Sequence, residues 1–308
     1  MTRIPADQCG LDDLARPRGF ASSTTLEDML RAACVLEATA RKPGNVHPQA
    51  SFADLSYNDF VRSADVVAPI LARTSELGVG RAILAAVAAT KQAVGRNTNL
   101  GIILLLAPLA AVPSGTRLAD GIGCVLDSLT RDDADLAYQA IRLAQPGGMG
   151  EVEDHDIRRP PDIMLRDAMR LAADRDLVAR QYSDNFALIF EFGLSWLRGV
   201  NDFEEHWEQV IVDLQLEILA RHPDSLIARK CGLETAVEAS RRARAVREGV
   251  GSGVPGGRVA LNDFDDWLRS DGNRRNPGTT ADIIAAMLFA GFRERVVPVV
   301  SAGRGAGF

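Results

Sequence analysis

The amino-acid sequence predicts an all-α protein with a single bundle-like domain of many helices. Apolar residues recur at helical spacing through most of the 308 residues, whereas no series of alternating apolar and polar residues indicates paired strands. Aromatic residues make up only 6% of the chain. No linker separates two apolar cores, so we expect one helical domain over residues 23–295, a loose leader over 1–22 and an irregular tail over 296–308.

Capping and helix-breaking residues place the predicted helices along the chain. Thr24 and Glu27 have the spacing of a capping box and predict the start of the first helix. Pro43 and Gly44 end this helix after about Arg41. The other predicted helices cover residues 58–76, 80–94, a buried segment after 99, 116–128, 131–144, 162–173, 183–198, 203–221, 231–248, 259–270 and 279–292. The glycine-rich segments 145–156 and 248–258 are predicted loops.

Composition excludes several classes of protein. The chain has 35 Lys and Arg against 41 Asp and Glu, and this net charge of −6 argues against a nucleic-acid-binding protein. The longest apolar run, Leu100–Val112, is shorter than the roughly 20 residues that span a bilayer. The N-terminus has no apolar signal sequence, and the four cysteines are far apart. We therefore expect a protein of the reducing cytoplasm, without a membrane span or a disulfide scaffold.

Glu37 interrupts the apolar face of the first predicted helix. It follows Leu26 by eleven positions, which at about 100° per residue places it about 20° from Leu26, on the side that Leu30 and Ala33 share. A buried charge costs several kcal/mol unless a cation, a metal or a proton neutralises it. Glu37 is therefore either a functional carboxylate in the core or a residue at a frayed helix end that pairs with Arg41.

A basic segment between the third and fourth helices suits a phosphate group. Lys91 lies within about 20° of Leu84 on the apolar face of its helix. Arg96, Asn97 and Thr98 follow, and the next helix begins there with an N-terminus that attracts anions. The alternatives are a lysine that extends to solvent and ordinary helix capping.

Two later segments carry candidate metal or phosphate ligands. Residues 151–156 contain five titratable groups, so this loop is either a solvated surface or a Mg²⁺ site. Thr279 and Asp282 have the spacing of a helix cap, and they also suit a helix start that faces a phosphate or a metal. The sequence contains no P-loop, no dinucleotide-binding fingerprint and no serine-hydrolase motif.

Taken in order, segments across residues 30–293 resemble the triphosphoribosyl-dephospho-CoA synthase family, known from the synthesis of the citrate lyase and malonate decarboxylase prosthetic group. The family is all-helical, in agreement with the periodicity. The segments that carry the resemblance are Glu37 with Lys42–Val46, Ser51–Leu55, Phe60 and Ser63, Asn97–Gly101, Gly150–Glu151, Asp224–Gly232, and Asn276–Asp282.

The resemblance implies an ATP-using transferase. Members of the family take ATP and 3′-dephospho-CoA, and a ribose hydroxyl of the acceptor attacks C1′ of the ATP ribose. Adenine leaves and the triphosphate is retained. Such a transfer needs a carboxylate base, Mg²⁺ and cations around the triphosphate, and negative charge near the reacting ribose. The implied partners are ATP and a small-molecule acceptor, with a homodimer left open.

The same resemblance supplies candidate site residues, without separating the roles of the carboxylates. The candidate catalytic residues are Glu37, Asp54 and Glu151. The candidate Mg²⁺ ligands are Glu37, Asp54, Glu151 and Asp282. The candidate substrate- and phosphate-binding residues are Lys42, Gly44, Asn45, Ser63, Lys91, Arg96, Asn97, Thr98, Arg229, Lys230, Thr279 and Thr280.

Departures from the family motifs leave the acceptor open. The NTHKG motif is replaced by Asn97–Gly101, which lacks the imidazole and the ammonium group. Phe52, Leu226 and Arg229 stand where the family has His, Asn and His. This pattern resembles a divergent branch associated with one-carbon metabolism through tetrahydromethanopterin or methanofuran. The alternatives to a synthase are therefore a nucleotide-using enzyme that builds a one-carbon carrier cofactor, and a helical ligand-binding protein that has lost catalysis.

Overall fold

A computed structural model describes residues 24–146, 161–251 and 257–301, and in these ranges the chain is helical with no strand. The all-α prediction is confirmed. The predicted leader over 1–22 and most of the predicted tail lie outside the described residues, so these boundaries stay predictions. None of the helices in the described ranges combines the length and the apolar character that crossing a membrane requires.

Fifteen α-helices and one π-helix are found in the described ranges. In chain order they are α1 Leu26–Thr39, α2 Tyr57–Leu71, α3 Thr74–Leu77, α4 Val79–Val94, α5 Leu100–Ala111, α6 Leu118–Asp127, α7 Arg131–Ala144, α8 Leu165–Ala172, α9 Leu177–Ser183, the π-helix Leu188–Gly193, α10 Leu194–Arg198, α11 Phe203–Arg221, α12 Ser225–Cys231, α13 Leu233–Gly251, α14 Gly257–Arg269 and α15 Gly278–Arg293.

The first helix begins one residue later than predicted. Thr25 is the N-cap, and its hydroxyl accepts a hydrogen bond from the Asp28 N–H at 3.1 Å. The Asp28 carboxylate accepts one from the Thr25 N–H at 2.9 Å, which completes a capping box. The prediction of Thr24 and Glu27 was wrong because both pairs have the same spacing and both end in an acid.

Two stretches depart from the predicted helix pattern. The predicted helix over 58–76 divides into α2 and α3 around Arg73. The predicted helix over 183–198 is wrong in its first residues, because Asn185 and Phe186 have φ of 56° and 61°. The side chain of Phe186 is fully buried, and this tertiary contact accompanies a left-handed conformation that no local sequence signal predicts. The short helices α9 and α12 were not predicted.

The helices α5 and α15 lie at the centre of the fold. Both are buried on nearly all sides, which is the behaviour of a helix that is apolar all round. They contact each other and pack with α1, α2, α4 and α7 in the larger apolar cluster. A smaller cluster joins α11, α12, α13 and α14.

The contact between α5 and α15 is close at Gly101. A Cβ atom at this residue would lie 2.0 Å from Oδ2 of Asp282. Only a residue without a side chain therefore leaves room for the Asp282 carboxylate.

Asp224 connects the beginnings of two helices. Its Oδ1 accepts hydrogen bonds from the N–H groups of Leu226 at 2.9 Å and Ile227 at 3.0 Å, and so caps α12. Its Oδ2 accepts from the Thr280 N–H at 2.7 Å and the Thr280 hydroxyl at 2.8 Å, in the first turn of α15. Burial raises the pKa of Asp224, while these hydrogen bonds act in the opposite direction.

We predict that Asp224→Ala lowers the free energy of unfolding by about 3 kcal/mol, because a cap and two further buried hydrogen bonds to a carboxyl group are lost. Urea denaturation measures the change. The matched control is Asp213→Ala, since Asp213 is half-buried and accepts one hydrogen bond, from Gln209 at 2.8 Å. We expect a loss of less than about 1 kcal/mol there. Equal losses in the two variants would contradict this role of Asp224.

Candidate active site

A cavity of about 1560 Å³ opens between the helices. It is larger than the roughly 300–1,000 Å³ of a pocket for one small molecule, so it has room for two substrates. The structure brings together in its wall Glu37, Asp54, Lys91 and Asp282, which come from four separate segments. The predicted site residues that line it are Glu37, Asn45, Asp54, Lys91, Arg96, Asn97, Thr98, Arg229, Lys230, Thr279 and Asp282.

Glu37 is buried in the wall of this cavity and pairs with Lys42. Glu37 is 3% exposed and Lys42 is 0% exposed, and Oε1 of Glu37 lies 3.0 Å from Nζ of Lys42. The ammonium also donates to the main-chain carbonyl groups of Glu37 and Ala40 at the end of α1. The prediction of an inward carboxylate is confirmed. The alternative pairing with Arg41 is wrong, because Arg41 pairs with Glu208 at 2.7 Å.

Asp282 faces the cavity among other negative charges. Burial is the largest effect on its pKa, and the charges of Glu37, Asp224 and Asp176 add to it. Together they raise the pKa of Asp282 well above its usual range, while Arg229 acts in the opposite direction. A carboxyl group in this state holds a proton more readily than an ordinary aspartate does.

Cationic side chains line one side of the cavity near the start of α5. Lys91 is half-buried, and it has no salt-bridge partner among the described residues. Arg96 and Asp54 form an exposed ion pair at 3.0 Å. The N-cap of α5 is Asn99, without a side-chain cap bond, and Oδ1 of Asn97 accepts a hydrogen bond from the Leu100 N–H at 3.1 Å.

Further cations come from α12. Arg229 pairs with Asp176 at 2.5 Å, and Asp176 in turn caps α9. Burial, followed by the charge of Arg229, lowers the pKa of Lys230, and Asp54 is among the groups that act in the opposite direction. The negative charge of Asp54 therefore reaches Lys230 from a different segment of the chain.

Arg175 and Arg274 also line the cavity and were not predicted. Arg274 donates to the carbonyl group of Lys230 at 2.6 Å. The sequence gives no signal for either residue, because both lie in polar connections that are typical of solvated loops. Only the folded chain brings them into the wall of the cavity that Arg229 and Lys230 also line.

Four predicted binding residues are not among those that line the cavity. Lys42 is enclosed with Glu37, and Thr280 is bonded to Asp224. The hydroxyl group of Ser63 hydrogen-bonds that of Thr98 at 2.6 Å. Gly44, with φ of 76°, donates its N–H to Asp265 at 2.6 Å. These residues hold the wall of the site, whereas Glu151 and the rest of the acidic segment 151–156 lie outside the described residues.

The acidic groups in the described part of the chain do not converge as a metal centre. Within the ranges that the structure describes, no three His, Cys, Asp or Glu side chains are arranged to hold a metal ion. Mg²⁺ is commonly bound by one or two carboxylates together with substrate phosphates and water. A single accessible carboxylate therefore suffices for a Mg²⁺ ion that substrate phosphates also bind. Asp54 fits this description, because its Oδ1 makes no hydrogen bond to a described residue.

Apolar residues also line the cavity. They come from α5, α7, α8 and α9 and include Ile102, Ile141, Leu165 and Met169. The cavity wall thus combines charged and apolar side chains.

Comparison with known proteins gives the family. A family model described as ATP:dephospho-CoA triphosphoribosyl transferase (CitG) matches residues 23–298. A crystal structure from Archaeoglobus fulgidus is similar at 25% sequence identity and a TM-score of 0.60, covering 75% of this chain and 97% of that one. That protein carries triphosphoribosyl-dephospho-CoA synthase as a provisional name. No curated protein matches. The resemblance inferred from the motifs is confirmed, and the chain belongs to the ATP:dephospho-CoA triphosphoribosyl transferase family of transferases.

Proposed function

We propose that the protein transfers the triphosphoribosyl group of ATP to a hydroxyl group of a small-molecule acceptor and releases adenine. The acceptor that the family suggests is 3′-dephospho-CoA. The observation that carries the proposal is the single cavity in which the carboxyl groups of Glu37 and Asp282 lie with Lys91, Arg229 and other cations. Its volume suits a nucleotide and an acceptor together.

Asp282 is the proposed general base. Its raised pKa suits it to receive the proton of the acceptor hydroxyl as the oxygen bonds to C1′ of the ATP ribose. The bond from C1′ to N9 of adenine breaks, and adenine leaves with the electron pair. The proton gained by adenine balances the one lost by the hydroxyl.

Glu37 is the proposed stabiliser of positive charge at C1′. A glycosyl transfer passes through a transition state with oxocarbenium character, which a nearby carboxylate stabilises. Glu37 is ion-paired with Lys42 at 3.0 Å and faces the cavity, so it offers this charge from a rigid position.

The cations are the proposed triphosphate site. Lys91, Arg96, Arg229 and Lys230 line the same cavity, and phosphate oxygens are acceptors that such groups bind. Asp54 would hold Mg²⁺ jointly with the triphosphate, and Mg²⁺ there would neutralise phosphate charge. Glu37 and Asp282 then remain available for the roles given above.

A second candidate function is a nucleotide-using step in building a one-carbon carrier cofactor. The apolar wall around Ile141, Leu165 and Met169 favours it, because such a wall suits an acceptor with an apolar or aromatic part. Leu226, which stands in place of a polar family residue, also lines the cavity. Parallel assays with 3′-dephospho-CoA and with pterin- or furan-containing acceptors distinguish the two functions.

We predict that the purified protein releases adenine from ATP when Mg²⁺ and 3′-dephospho-CoA are present. Chromatography should show adenine, and mass spectrometry should show an acceptor enlarged by a triphosphoribosyl group. An omission of the acceptor is the control and should abolish adenine release. Formation of ADP or AMP without adenine, with every acceptor offered, would refute the proposed reaction.

We predict that Asp282→Asn lowers kcat by about 10²- to 10⁴-fold, because the base is lost. The same change should stabilise the protein at pH 8. Between the ordinary pKa of an aspartate and the raised pKa of Asp282, the folded state binds more protons than the unfolded state. The wild type therefore loses stability as the pH rises through this window. Thermal unfolding at pH 4 and pH 8 should show a gain for the variant that is larger at pH 8. Full activity, or a loss of stability at pH 8, would contradict this role.

We predict that Lys91→Met raises the KM for ATP about tenfold with a smaller change in kcat, because a phosphate contact is uniform in the ground state and the transition state. Steady-state kinetics with varied ATP measures both constants. Arg31→Met is the control, since Arg31 pairs with Asp65 on the surface and does not line the cavity. An unchanged KM in Lys91→Met would exclude this lysine from the triphosphate site.

A further inference from the structure

A chain of three side-chain amides connects the buried core to the cavity. Gln215 on α11 is fully buried, and its Nε2 donates to the Pro43 carbonyl at 2.9 Å and to Oδ1 of Asn45 at 2.8 Å. Nδ2 of Asn45 donates to Oδ1 of Asn276 at 2.7 Å. Asn45 and Asn276 both line the cavity, whereas Gln215 does not.

The carbonyl group of Pro43 sets the orientation of all three side-chain amides. A carbonyl oxygen only accepts, so it must face the amide nitrogen of Gln215. Both N–H bonds of that nitrogen are then used, and Asn45 must present its oxygen to Gln215 and its nitrogen to Asn276. Asn276 is left with its oxygen engaged, and its Nδ2 has no acceptor among the described residues.

The orientation of the Gln215 amide leaves one of its own atoms unpaired, which supports the conclusion that the Pro43 carbonyl imposes this orientation. Its Oε1 is buried without a hydrogen-bond partner. An unpaired buried acceptor destabilises the folded state. The reverse orientation would place this oxygen against the Pro43 carbonyl and the oxygen of Asn45, so the observed one is retained despite the cost.

We infer that Asn276 is a ligand-binding residue that offers a hydrogen-bond donor to the substrate, and that Gln215 is a positioning residue that holds this amide in the donor orientation. The matching ligand atom is one that only accepts, such as an unprotonated ring nitrogen of adenine or a phosphate oxygen. The inference rests on the proposed function, because it takes ATP as the ligand.

Calorimetric titration with ATP tests the inference through a double-mutant cycle of Gln215→Met and Asn276→Ala. Each single variant should weaken ATP binding about three- to tenfold, which corresponds to one hydrogen bond. The double variant should bind ATP no more weakly than Asn276→Ala alone, because the orientation of an amide that is absent has no effect. If Gln215→Met does not fold, Gln215→Glu, which keeps the shape of the side chain without its amide donors, replaces it in the double-mutant cycle.

Inorganic tripolyphosphate identifies the ligand atom. If Asn276 meets a phosphate oxygen, Asn276→Ala weakens binding of tripolyphosphate and ATP alike. If it meets a ring nitrogen of adenine, only ATP binding weakens. Either result supports the donor role.

Gln181→Met is the matched control. Gln181 is also fully buried with an unpaired Oε1, but its Nε2 donates to Leu177 and it has no bond to the amide chain. Its ATP affinity should equal that of the wild type. Additive losses in the cycle, or an equal loss in Gln181→Met, would overturn the role of Gln215. A wild type that does not bind ATP would refute the proposed function and the ligand assigned to Asn276 with it.

Discussion

The buried ion pair between Glu37 and Lys42 is the constraint on which the site depends. A carboxylate on the apolar face of α1 is tolerated only with a cation beside it, and the loss of either partner leaves an uncompensated buried charge that costs about 3–5 kcal/mol. The ammonium also holds the carbonyl groups at the end of α1. The loop that follows, with Pro43 and Asn45, therefore leaves the helix in one direction.

Local patterns predicted the parts of this arrangement that depend on the backbone alone. Helical periodicity gave the all-α class and the inward direction of Glu37, because side-chain direction on a helix follows from 100° per residue. Errors occurred where neighbouring residues offer the same signal, as with the two acids after Thr24 and Thr25. They also occurred where a tertiary contact overrides propensity, as with the left-handed backbone at Phe186.

Contacts between distant segments could not be predicted in this way. The sequence places Arg41 and Lys42 side by side, and only packing decides that Arg41 meets Glu208 while Lys42 is enclosed with Glu37. The cap that Asp224 provides for α12 was not predicted, and its bonds to Thr280 appear only when α15 is in place. Eleven predicted residues share one cavity because distant segments meet, which the ordered family motifs indicated and the periodicity did not.

The close approach at Gly101 has a consequence for comparing related sequences. Since a methyl group at this residue would occupy the volume of the Asp282 carboxylate, positions 101 and 282 form one steric unit across two helices. A homologue that carries a larger residue at the first position must shorten, move or lose the acid at the second. Inspection of this pair of columns in an alignment would therefore sort homologues that can hold the acid from those that cannot, before any of them is expressed.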